Sequence, residues 1–197
     1  MQWIDIYALL SGLIFVVLEV FHNKWTWPVE ILSCIPQLII FIQASVWGSA
    51  GLQAFYIIMA VIGIFTWKSD AEKSDDKDAI VLNRPGTLTF IVSAAAFLGL
   101  WAAFYFLFRS TDACPVPDSF ELAAGLVGTW WLTRSYIEQW FIWIVADTVQ
   151  VGICIYLGNI PMTILYVVYL AAAIAGLAVW RRKGIYADAT AGPGEGR

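Results

Sequence analysis

The chain has 197 residues, of which 60% are hydrophobic and 13% charged, with a mean hydropathy of +0.74. Soluble domains run nearer to about 45–50% apolar and about 25% charged, so this surplus excludes a water-soluble globule and points to one membrane domain. A net charge of −4 excludes nucleic acid as a partner, because that polyanion is bound through basic surface.

Crossing a bilayer takes roughly 20 apolar residues in a helix. The first such run covers about Trp3 to Phe21. No basic segment precedes it and no small-residue cleavage site follows, so it predicts a permanent span and not a signal peptide. The second runs from Trp27 to Ser45, with Pro28 in its first turn, where proline is tolerated. The third runs from Ser49 to Trp67. A polar loop, 68–86, follows. The fourth span covers Thr87 to Leu107. A short loop, 108–118, holds Cys114, Pro115 and Pro117. The fifth span, Ser119 to Thr133, is the weakest. The sixth runs from Glu138 to Leu157 and the seventh from Ile160 to Trp180. The small, polar tail 183–197 is expected to be disordered.

Charge predicts the orientation. Lys24, Lys68, Lys73, Lys77, Arg84, Arg134, Arg181, Arg182, Lys183 and Arg197 fall on one side, and only Arg109 on the other. Basic loops face the cytoplasm, so seven spans with the N-terminus outside and the C-terminus inside are expected.

Sliding the chain against itself by 113 residues places Trp27 on Trp140, Gln37 on Gln150, Tyr56 on Tyr169, Ala60 on Ala173, Gly63 on Gly176 and Trp67 on Trp180. Spans 2–3 therefore repeat as spans 6–7. Span 1 then pairs with span 5, and span 4 links the units. The expected architecture is all-α with a 3+1+3 parallel repeat: 1–67 as the first repeat, 87–107 as linker helix and 119–182 as the second repeat. Parallel repeats about an axis along the membrane normal are a transporter architecture, with the substrate near the midplane.

Ionisable residues within spans mark candidate sites, because burying them in lipid is costly. Glu19 and Glu30 lie towards span ends, whereas Asp147 lies mid-span. Trp140, Trp143, Asp147 and Gln150 are spaced to form one stripe on a helix. It offers two indole faces, a carboxylate and an amide, a surface suited to a flat cation. Span 2 presents a related face: Trp27, Glu30, Cys34 and Gln37. Gln53, Tyr56, Tyr166 and Tyr169 could add polar groups from spans 3 and 7. Gly63 and Gly176 are expected to serve close helix packing. Trp67 and Trp180 read as an aromatic belt at the membrane interface, and His22 as an interfacial loop residue. Cys34, Cys114 and Cys154 have no metal-ligand spacing, so neither metal nor cofactor is expected. No P-loop, GxSxG, HExxH or dinucleotide fingerprint occurs, so the chain does not read as an enzyme.

The stretch Glu138-Gln-Trp-Phe-Ile-Trp-Ile-Val-Ala-Asp147, the segment from Leu52-Gln-Ala-Phe-Tyr56 through Gly63 to Trp67, and Asn23-Lys-Trp-Thr-Trp-Pro28 resemble the PnuC family of vitamin transporters, over about residues 5 to 182. That resemblance implies a SWEET-like 3+1+3 fold in a bacterial inner membrane, and a homotrimer. It implies facilitated diffusion of nicotinamide riboside, thiamine or a related vitamin, with a cytoplasmic kinase trapping the product. Trp140 and Trp143 match the family's substrate-stacking tryptophans. Asp147, Gln150 and Glu30 depart from its pattern towards acidity and polarity, which fits a cationic ligand and disfavours neutral riboflavin. Two other readings compete: a proton-coupled carrier with Asp147 as the proton site, and a non-transporting seven-helix receptor or assembly subunit.

Overall fold

The structure, a computed structural model, describes residues 3–43, 47–72, 79–110 and 115–187. Lys73, Lys77, Cys114, Arg197 and the tail from residue 188 lie outside the described residues. Among the described residues, seven helices occupy the seven apolar runs: α1 (Trp3–Val20), α2 (Thr26–Gln43), α3 (Trp47–Ala71), α4 (Thr87–Phe108), α5 (Pro115–Thr133), α6 (Gln139–Tyr156) and α7 (Ile160–Lys183). Among the described residues, α2, α3, α4, α6 and α7 are long and apolar enough to cross a membrane.

The chain divides into two compact units, one made of Met1–Leu82, Thr133–Ser135 and Val179–Arg197, the other of Asn83–Leu132 and Tyr136–Ala178. The helix expected as a linker, α4, belongs to the second.

In the first unit, Pro36 sits inside α2. Proline has no N–H, so the Leu32 carbonyl one turn back loses its helical partner. The Tyr7 hydroxyl of α1 donates to that carbonyl at 2.6 Å. A buried pair, Ser11 and Ser33, hydrogen-bonds at 2.7 Å between the same two helices. Polar groups in an apolar surrounding must be satisfied internally, and these contacts do so while pinning α1 to α2. At the start of α2, Thr26 Oγ1 donates to the Asn23 carbonyl at 2.7 Å, and Asn23 Oδ1 accepts from the Trp25 amide.

The α2–α3 contact rests on one close approach. The Trp27 ring lies against Gly63, where any Cβ would collide with the indole. The second unit repeats it, with the Trp140 ring against Gly176 between α6 and α7. Both indoles are only 1% exposed. These pairs are related by the register of 113 residues found in the sequence.

Two features of the first unit differ from expectation. Trp67 and Trp180 are buried inside the protein rather than exposed as a belt, and the half-buried His22 packs on them. The chain turns back after α1 with His22 at φ 50, which lays its imidazole on Trp67 with ring centroids 3.7 Å apart. Trp180 meets the imidazole edge-on at 5.0 Å, and Ser135 Oγ lies 3.3 Å from Nε2. Ser135 also has positive φ, 54, and is the residue 113 positions on from His22. Trp180 donates its Nε1 hydrogen to the Glu19 carbonyl. A turn and two indoles thus build a core where the hydropathy pattern alone suggests a membrane surface.

The second difference is a sheet. Residues 80–82, expected in a polar loop, and 184–186, expected in a disordered tail, form strands β1 (Ile80–Leu82) and β2 (Gly184–Tyr186) paired in parallel. All three β1 side chains are buried. Gly184 is required where it stands, because a Cβ would strike Leu82 and the Trp180 carbonyl. Three apolar residues inside a charged loop are too short a signal to read without their partner strand.

In the second unit, α4 buries little beyond Ser93, whose Oγ accepts from Trp131 Nε1 at 2.8 Å.

Gly176→Ala must push the Trp140 ring from a close-packed position, and overpacking of this kind costs about 1–3 kcal/mol. The purified variant should show a lower Tm in detergent, whereas Gly152→Ala, whose Cβ meets nothing within 4 Å, should not. Equal Tm values for the two would refute the packing argument. Removal from water holds the His22 imidazole at about 4, below its ordinary 6.5, against a smaller opposing contribution from a backbone hydrogen bond. Between those values the unfolded chain binds the proton more readily, so the stability His22 contributes is present above about pH 6.5 and lost as pH falls towards 4. The Tm of the wild type should therefore fall more between pH 7 and 4.5 than that of His22→Phe. Parallel curves would exclude His22 as the cause.

Candidate functional site

The expected stripe on α6 exists, and its polar members are buried. Trp140, Asp147 and Gln150 are all buried, and Trp143 is half-buried. Regular helix carries them on one face, over about 15 Å at 1.5 Å per residue. No Lys or Arg occurs in α5 or α6. The stripe is therefore acidic, with no cationic side chain on either helix.

Trp143 packs against α5, where a Cβ on Gly128 would lie 3.1 Å from its ring. Its Nε1 is buried without a hydrogen-bond partner among the described residues. Gln150 donates from Nε2 to Glu121 Oε2 on α5. The Tyr166 hydroxyl of α7 donates to Glu121 Oε1 at 3.4 Å. Tyr169 packs edge-on against Tyr166, with centroids 6.1 Å apart. Glu121 is thus the hub joining α5, α6 and α7.

Sequence reasoning missed Glu121. With the fifth span started at Ser119, Glu121 falls at its rim. The helix in fact begins at Pro115, which puts Glu121 nearly two turns inside and seven residues before Gly128, on the same face. The missed signal was Pro115 itself, since proline is favoured in the first helical turn.

The remaining candidates lie in the first unit. Trp27 is committed to its packing on Gly63 and to an edge contact with Trp67 at 5.0 Å. Gln37 donates its amide to the Ser33 carbonyl on its own helix at 3.1 Å. Glu30 Oε1 accepts from Cys34 Sγ at 3.7 Å. Gln53 Oε1 is buried with no partner among the described residues, and Tyr56 packs on Phe55. A cavity of about 500 Å³ in this unit is lined by Lys24, Trp25, Trp27, Trp67 and Lys68, and not by Glu30, Gln37 or Gln53. Among the described residues, no three His, Cys, Asp or Glu side chains converge as metal ligands.

Comparison with known proteins bears on this arrangement. The family described as nicotinamide mononucleotide transporter matches residues 2–182. The riboflavin/roseoflavin transporter RibM of Streptomyces davaonensis is 29% identical over 183 residues, covering 90% of this chain and 84% of that protein. The nicotinamide riboside transporter PnuC of Escherichia coli is 22% identical over 204 residues, covering 91% and 85%. A crystal structure of the vitamin B3 transporter PnuC superposes with a TM-score of 0.67 at 18% identity, covering 91% of this chain and 81% of that one, which establishes a shared fold. These relatives are transporters, not enzymes.

Proposed function

Since this chain belongs to the nicotinamide mononucleotide transporter family, the PnuC vitamin transporters, we propose that it carries a cationic B-type vitamin, with nicotinamide riboside the preferred substrate. Membership makes it a multi-pass membrane protein with a small-molecule substrate. The observation that carries the finer reading is Asp147, buried in a stripe with Trp140, Trp143 and Gln150, on a helix without a basic residue. An uncompensated carboxylate in an apolar environment must be protonated or meet a cation. A pyridinium ring supplies the cation and a flat face for Trp143, while Gln150 keeps its carbonyl oxygen for a ribose hydroxyl. Trp140, packed on Gly176, holds the stripe in place from within the unit. Tyr169, packed on Tyr166, belongs to the same lining in this reading, and Glu30, Gln37, Gln53 and Tyr56 form a separate polar set in the first unit.

The rest of the proposal follows from sequence. Ten of eleven Lys and Arg residues on one side of seven spans support an N-out, C-in topology. The 113-residue register supports a 3+1+3 parallel repeat, an architecture in which transporters work by alternating access. Facilitated diffusion suffices, because an inside-negative potential favours entry of a monocation by about 2.3 kcal/mol per 100 mV. A cytoplasmic kinase would sustain the gradient by trapping the product. We place the carrier in a bacterial inner membrane, as a homotrimer.

Thiamine, also a fixed cation, fits the same electrostatics. Similarity to RibM favours a second reading, riboflavin, a neutral flat ring that would use the indoles but leave Asp147 without a counter-charge.

A thermal-shift screen of the purified protein separates these. Nicotinamide riboside should raise the Tm, with ligand at a hundred times Kd adding about 2.7 kcal/mol of stability. A rise with riboflavin alone would transfer the assignment to the second reading. In proteoliposomes, Asp147→Asn should lower nicotinamide riboside uptake about tenfold, the loss of about 1.4 kcal/mol of differential binding. Undiminished uptake would remove Asp147 from the mechanism.

A further inference from the structure

We infer that Glu121 is the positioning and specificity-determining residue that makes this site read ligand charge, both by its own carboxylate and by holding Gln150 in one orientation. The inference rests on the cationic-vitamin reading above.

Three observations carry it. The first is the Gln150 amide. An ionised carboxylate only accepts hydrogen bonds, so the atom Gln150 turns to Glu121 Oε2 is its nitrogen. The amide carbonyl is then the end left for a ligand, which selects for hydroxyl or N–H donors. Without Glu121 the amide could rotate and present either end. The second is Tyr166, whose hydroxyl hydrogen is spent on Glu121 Oε1 at 3.4 Å. Its oxygen too can only accept from a ligand. Both flanking groups are thus set as acceptors by one carboxylate.

The third is charge. Asp147 and Gln150 lie three residues apart on one face of α6, so the carboxylate bound to Gln150 adjoins the stripe's own. Neither α5 nor α6 carries Lys or Arg. Two carboxylates therefore share a region of low dielectric without a basic residue on either helix. Each raises the preference for a cationic over a neutral ligand of the same shape. Trp143, whose indole N–H has no partner among the described residues, stands one turn from Asp147 on the same stripe and supplies the flat surface.

The test compares two ligands of one shape and different charge. These are nicotinamide riboside, a pyridinium cation, and its neutral 1,4-dihydro form. Affinities are measured by calorimetry on the purified wild type, Glu121→Gln and Glu121→Asp. The wild type should prefer the cation at least tenfold. Glu121→Gln keeps an acceptor for Gln150 but removes the charge. Its preference should collapse to within threefold, with affinity for the neutral form little changed. Glu121→Asp keeps the charge but withdraws it by one methylene. It should bind both forms more weakly while retaining the preference. If Glu121→Gln does not fold, the double variant Glu121→Met/Gln150→Met removes both hydrogen-bond partners together; it should bind both forms more weakly and lose the preference for the cation.

A wild-type preference that survives in Glu121→Gln overturns the inference and leaves the cationic reading intact. Equal losses for both ligands in that variant reduce Glu121 to a structural part and also overturn it. A wild type that does not prefer the cation overturns both.

Discussion

The contact on which each unit depends is an indole laid on a glycine. Trp27 covers Gly63 and Trp140 covers Gly176. A side chain of that size against a bare backbone brings two helices as close as they can come, and no other residue at the glycine would permit it. Close approach of this kind is the main source of attraction between helices in lipid, where apolar burial gains little because the solvent is itself apolar. In the second unit this contact has a further result. It sets the rotation of α6, so Trp143, Asp147 and Gln150 take their directions from Trp140. The site is in that sense a by-product of packing.

With α6 rotated this way, a carboxylate comes to lie among apolar neighbours, and the α5 face opposite answers with another. Glu121 takes hydrogen bonds from Gln150 and Tyr166, so each of its oxygens has a donor and neither donor is a cation. Hydrogen bonds of this kind make a buried anion tolerable without neutralising it. On the cationic-vitamin reading proposed above, a ligand that brings the opposite charge binds more tightly than a neutral one of the same shape. A fully neutralised site would stabilise the fold more and discriminate less. The neutral flavin named for one relative and the cationic riboside named for another differ in the property such a site would sense.

The first unit shows how polar elements are managed elsewhere in the chain. Tyr7 repairs the carbonyl orphaned by Pro36, and Ser11 pairs with Ser33. His22 is held uncharged between indoles. The two short strands close main-chain groups that a loop and a tail would otherwise leave to water. Each device satisfies a polar group without adding a charge.

By itself the sequence determined the lipid solvent, the seven helices, the Trp–Asp–Gln stripe and the 113-residue register, because hydrophobic excess and helical spacing are properties of neighbouring residues. It also pointed to the family, through the residues around Trp140 and Trp143. It could not show Glu121 as the partner of Gln150, since 29 residues separate them and only packing of α5 on α6 brings them together. His22 against Trp67 and Ser135, and β1 against β2, were hidden for the same reason. Hydropathy ranks each residue by its own affinity for lipid, whereas burial in an aromatic cluster, strand pairing and the sharing of a carboxylate are decided by partners distant in the chain. Only tertiary structure supplies those partners, and with them the charge balance of the site.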